Sequence, residues 1–158
     1  MADLLTLLNN DTAIRAASRG TISDMPRLVI TGTGEPLQTA VSGFETIHLS
    51  AIMVDNKNGW DAANYQWVVP ETGTYEVNGK LRLADGDYSS LSYGLGMDTA
   101  NQDGPTFFWG QGAKNRQGLF NSRIMNLTQG ARLRLFAYID SATPVGISGA
   151  EMNAVRIA

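Results

Sequence analysis

From Phe44 onward, apolar and polar residues alternate with a period of two. The segment YEVNGKLRL sets Tyr75, Val77, Gly79, Leu81 and Leu83 on one side and Glu76, Asn78, Lys80 and Arg82 on the other. That is the pattern of an antiparallel strand with one wet face. SLSYGLGM aligns Leu91, Tyr93, Leu95 and Met97. ARLRLFAYID turns Leu133, Leu135, Ala137 and Ile139 inward and leaves Arg132, Arg134, Phe136 and Tyr138 outside. Further strands are predicted at 44–54, 64–69, 119–127 and 152–157. The turn signals DNKNG, PETG, ADGD, NQDGP, LTQG and ATPVG separate them. Many short strands between regular turns predict an all-β fold, an antiparallel β-sandwich of the jelly-roll kind.

The first twenty residues read differently. Leu4, Leu5, Leu7 and Leu8 form a small apolar helical face, Asp11 is placed to cap a second turn around Ile14, and Gly20 is placed to end it. Two such turns are marginal in water alone, so this segment must lean on something. Residues 21–43 predict a short strand around Leu28–Ile30 and then a Gly/Pro loop. The expected organisation is an N-terminal arm, 1–40, and a jelly-roll domain, 41–158.

Composition narrows the chemistry. A chain of 158 residues buries roughly 70% of its unfolded surface without a covalent staple. Having no cysteine, it forms no disulfide and offers no thiol nucleophile or ligand. His48 is its single histidine, which excludes multi-histidine metal sites. A net charge of −3 argues against nucleic acid as a partner. No run of 18 apolar residues exists to span a membrane. The N-terminus, with Asp3 where a positive region belongs, does not read as a signal peptide, and synthesis in the cytoplasm is expected. Charged residues make up 17% against a usual ~25%, which suggests surface covered by something other than water. The nine Arg against three Lys point the same way, to protein interfaces.

Residues 60–83, WDAANYQWVVPETGTYEVNGKLRL, resemble the signature of the tumour-necrosis-factor and complement-subcomponent-q family. In that family an aromatic strand, a Pro and a Gly-x-Tyr precede a long alternating strand; here they are Trp67, Pro70, Gly73 and Tyr75. Pro70 cannot donate to a ladder and so ends its strand, and Gly73 is expected to take a positive φ in the turn. MNLTQGARLRLFAYID resembles the family's turn into a later strand, with Ala131 after Gly130 where Asp is frequent. MNAVRIA resembles the closing strand. The resemblance spans about 41–158 and implies a ten-strand jelly roll packed as a homotrimer. Compact domains of this format also recur in bacteriophage particles, and the short cysteine-free chain with its small arm is similar to that group.

Catalytic readings find little support. His48 reads as a structural strand residue with no local triad. Asp85 and Asp87 read as a hairpin turn on Asp-Gly rather than a calcium loop, and Asp98 and Asp103 as turn residues. The Gly32–Gly34 and Gly94–Gly96 fragments lack the rest of a phosphate-binding fingerprint. No carboxylate pair stands out for a hydrolase, and neither a cofactor nor a metal is expected. The informative residues are aromatic. Phe136 and Tyr138, with Arg132 and Arg134, predict a trimer interface on the outer face of their strand. Phe107, Phe108 and Trp109 precede a Gly-rich loop and predict either core filling or a contact surface.

Taken together, these features lead us to expect a non-enzymatic virion structural protein, a homotrimeric decoration protein clamping the major capsid protein of a phage head. Leu4, Leu5, Leu7, Leu8, Ile14, Val29 and Ile30 would form the capsid-contacting arm. The alternative is a trimeric tail-fibre or tail-tip protein that docks on tail proteins and binds a host surface glycan through Phe107, Phe108 and Trp109.

Overall fold

A computed structural model describes residues 24–85, 87–98, 108–114 and 118–158. They form nine antiparallel strands: β1 (Arg27–Thr46), β2 (Ala51–Asp55), β3 (Trp60–Asp61), β4 (Gln66–Val68), β5 (Gly73–Leu83), β6 (Asp87–Asp98), β7 (Phe108–Lys114), β8 (Gly118–Leu127) and β9 (Arg132–Arg156). The fold is the expected antiparallel jelly roll. No helix among the described residues is long and apolar enough to cross a membrane.

Two long strands organise it. β9 pairs with β6 through Arg134–Asp140 and with β5 through Ile147–Arg156. β1 accompanies it along both stretches, from Arg27↔Val155 to Thr46↔Phe136. One layer therefore runs β2-β1-β9-β5-β8, and the other joins the distal halves of β1 and β9 to β6 and β7. The strands change layer where their pairing is interrupted. Register is lost between Thr33 and Gln38, around Pro36, and again between Ala40 and Ser42, opposite Pro144. Proline has no N–H to give a ladder, so a strand bends there more cheaply than elsewhere.

Both proline segments were expected to be loops. Instead β1 runs through the Gly/Pro stretch and β9 through ATPVG, each continuing in a new register. The expected arm boundary moves accordingly, since residues from Arg27 onward are ladder-paired and belong to the sandwich. Residues 1–23 lie outside the described set.

The core is what the alternation predicts. Tyr75, Val77, Leu81 and Leu83 of β5 are buried against Leu133, Leu135, Ala137 and Ile139 of β9, with Leu28 and Ile30 of β1 in the same cluster. Trp67 and Tyr75 are its largest members, and Tyr75 donates its hydroxyl to the Glu71 carbonyl at 2.7 Å. Gly73 serves a purpose other than the one expected. Its φ is not positive; a Cβ there would lie 2.4 Å from Arg156 Nε and 2.5 Å from the Ala158 carbonyl. The chain end closes on this spot, Ala158 accepting from the Thr74 N–H at 2.8 Å. Among the described glycines the positive φ values belong to Gly43, at +91° within β1, and to Gly130, at +82° in the turn before β9. That turn docks on Val69, whose N–H and carbonyl bond to Ala131 and Gly130, both at 2.8 Å.

Candidate interaction surface

The residues singled out by sequence scatter. Leu4, Leu5, Leu7, Leu8, Ile14 and Phe107 lie outside the described residues. Phe108 and Trp109 are in β7, their backbones opposite Leu95 and Gly94, with their side chains outside the described set. Ile30 is fully buried in the core and is unavailable as a capsid contact. Its neighbour Val29 is half-buried on the opposite, outer face.

Phe136 requires a second correction. Alternation places it on the outer face of β9, yet it is only 1% exposed in a single chain. It sits between Thr46 of β1 and Gly96 of β6, and the Arg134 guanidinium lies 5.5 Å from its ring centroid. Two residues along, Tyr138 is half-buried, its ring edge-on to Phe44 at 5.1 Å. Phe136 is hidden without help from another copy, so it supplies no exposed surface for a trimer. Arg132 is exposed and Arg134 half-buried.

Exposed apolar surface lies elsewhere. Register fixes the outer face of the β1-β9-β5-β8 sheet as rows across four strands. The rows read Thr33–Gly149–Arg82–Gly118, then Thr31–Glu151–Lys80–Phe120, then Val29–Asn153–Asn78–Ser122, then Arg27–Val155–Glu76–Ile124. Phe120 is 51% and Ile124 71% exposed on β8, and Ile157, two residues beyond Val155, is 46% exposed. The other large exposed apolar residues among those described are Ile52 and Met53, at 52% and 67%, on β2. β2 and β8 are the opposite edges of this sheet. Sequence reading missed all five, because alternation tells which residues share a face but not which face another element covers.

The same face carries a shallow trough of about 570 Å³ between Phe120, Arg82 and Thr33, floored by Gly149 and Gly118. Along one side Lys80 Nζ stands 3.4 Å from both Glu151 carboxylate oxygens. Arg82 lies over the floor, its Nε donating to Ser148 Oγ at 3.1 Å. Lys80 and Arg82 are thus paired or hydrogen-bonded beside the exposed Phe120 ring.

Groups able to do chemistry are dispersed. His48 is not in a strand but in the segment between β1 and β2, exposed and stacked on Tyr65 at 4.3 Å. Asp61 accepts from Asn64 Nδ2 at 2.8 Å and Gln66 Nε2 at 2.7 Å, bonds that hold its carboxyl below its ordinary pKa. Burial pushes the Tyr75 phenol up. Among the described residues no three of His, Asp and Glu gather as a metal site would require.

No protein-family model and no curated protein matches the chain. Solved structures do. The globular domain of zebrafish complement 1qA protein aligns with a TM-score of 0.62 at 11% identity, over 85% of this chain and 98% of that one. Eiger TNF from S. frugiperda gives 0.57 at 13% identity, over 85% and 93% of the two chains. Murine APRIL gives 0.52 at 12% identity, over 83% and 99%. The chain has the jelly-roll fold of these complement and tumour-necrosis-factor domains. At such identities the likeness is one of fold.

Proposed function

We propose that this chain is a non-enzymatic structural protein that acts as a homotrimer and decorates a bacteriophage head. The observation that carries the assembly reading is the row-and-edge pattern of exposed apolar residues. Phe120, Ile124 and Ile157 stand open on one sheet face of a chain whose core is otherwise closed. Large side chains left half or more in water at the two edges of one sheet cost solubility unless another surface covers them. A low share of charged residues and the jelly-roll fold support the same reading.

Decoration follows from format. A trimer set over a local threefold axis would touch several capsomers at once, and repeated small contacts add to a strong one. Binding the assembled shell and not its loose parts stabilises the shell by mass action. Leu4, Leu5, Leu7, Leu8 and Ile14 would supply the apolar grip, with Val29 on the outer face of β1.

Mixing the purified protein with phage heads that lack it tests this role. Saturable binding, with a rise in the temperature at which the heads rupture, is the expected result. Heads that neither bind the protein nor gain heat resistance would overturn the decoration role. Attachment to isolated tails or host cells instead would move the protein to the tail.

A further inference from the structure

We propose that Asn58 is a site of spontaneous deamidation, and that the fold confines this chemistry to one of the chain's two Asn-Gly pairs. The pairs are Asn58–Gly59 and Asn78–Gly79. They share a dipeptide and differ in what holds it.

The turn between β2 and β3 dictates the first pair. Asn58 has φ +53°, and asparagine is among the few residues with a side chain that enter this left-handed region readily. Crowding selects the residue after it. A Cβ at Gly59 would lie 2.5 Å from the Val68 carbonyl and 2.6 Å from Trp67 Nε1. Each position has its own structural reason, and together they place a side-chain amide beside a backbone nitrogen that no Cβ shields. Asn58 is exposed, and its amide bonds to no described residue. The Gly59 carbonyl accepts from the Val68 N–H at 2.8 Å, but the Gly59 N–H donates to no described residue. An N–H without an acceptor is free to lose its proton and turn on the neighbouring amide.

The second pair sits in the middle of β5. Asn78 and Gly79 face Ser122 and Asn121 of β8 on one side, and Asn153 and Met152 of β9 on the other. Ladders on both sides hold the backbone, and Gly79 is buried. Asn78 Nδ2 also donates to Glu76 Oε1 at 3.5 Å. Reaction here must wait for the sheet to open locally.

The step needs only water. The Gly59 nitrogen gives its proton to solvent and attacks Cγ of Asn58. The new N–Cγ bond closes a succinimide ring. The Cγ–Nδ2 bond breaks, and that nitrogen takes a proton from solvent and leaves as ammonia. Water then adds to one of the two imide carbonyls and opens the ring. The product is aspartate, or isoaspartate with the main chain rerouted through Cγ. Either one sets a new carboxylate in the cleft that Asn58 lines with Lys57, Trp60 and Asp61.

The test uses the full chain, incubated folded at mildly alkaline pH and, in parallel, unfolded in guanidinium chloride. Peptide mass spectrometry with fragmentation assigns each converted asparagine, and protein L-isoaspartyl methyltransferase labels the isoaspartate. In the folded chain Asn58 is expected to convert about tenfold or more faster than Asn78, because only the second is held in a ladder. In guanidinium chloride both are expected to convert. An Asn58 that stays intact in the folded chain over the time it converts in the unfolded one would overturn the proposal. Equal conversion of Asn58 and Asn78 in the folded chain would overturn it too.

Discussion

Trp67 and Tyr75 meet edge to face at 5.7 Å, on either side of the corner that Pro70 and Gly73 build. Both rings are fully buried. The corner thus brings two of the largest core side chains together and passes β4 into β5 while the chain end closes over it.

Truncating this pair should be costly. Trp67→Ala is predicted to destabilise the chain by about 3–5 kcal/mol, the range for deleting a large buried ring. Tyr75→Phe keeps the ring and loses only the bond to Glu71, at about 1 kcal/mol. Urea unfolding with an unchanged slope and a lowered midpoint is the measurement.

Gly73→Ala is predicted to loosen the chain end rather than strain a turn. The added methyl displaces Arg156, which bonds to Glu71 at 2.7 Å, and the Ala158 carbonyl. Hydrogen exchange at the Thr74 and Ile157 amides should accelerate while amides in the centre of β9 stay protected. Equal acceleration throughout would point to global loss instead.

Phe136→Ala separates the expected interface from the observed one. Because the ring is sealed within one chain, its loss should lower stability by about 3 kcal/mol and leave the association state of the surviving folded protein unchanged. Ile124→Ser should do the reverse, weakening association with little effect on the folding of a single chain.

Asp61 predicts a pH effect with a definite sign. Hydrogen bonds from Asn64 and Gln66 depress its folded pKa. Its contribution to stability is therefore complete above the ordinary aspartate value of about 3.9. It is lost as pH falls through the lower folded value. NMR titration of the carboxyl should show the depressed midpoint, and Asp61→Asn should flatten the acid limb of stability against pH.

Much of the fold was legible. The alternation of β5 and the inward set Leu133, Leu135, Ala137 and Ile139 reappear as core, because a half-wet strand can satisfy its residues in only one orientation. The corner residues Trp67, Pro70, Gly73 and Tyr75 marked the strand junction correctly, although Gly73 answers crowding rather than a positive φ. The lengths of β1 and β9 were not legible. Pro36 and Pro144 read as breaks, whereas a strand that changes layer needs an interrupted ladder and tolerates proline there. Nor was the interaction surface. Phe136 and Phe120 both fall on outer faces by alternation, yet the first is buried, with Arg134 over its ring, and the second is exposed, a difference that alternation does not carry.

The central claim is that the exposed face of β8 and the edge of β2 are covered by other copies of the chain. Sedimentation equilibrium of the unaltered protein and of Ile124→Ser, across the micromolar range, tests it most directly. The account predicts three times the 17.0 kDa of one chain for the former and a shift toward one chain for the latter. A unaltered protein that stays at one chain mass throughout, or a trimer indifferent to Ile124, would contradict it.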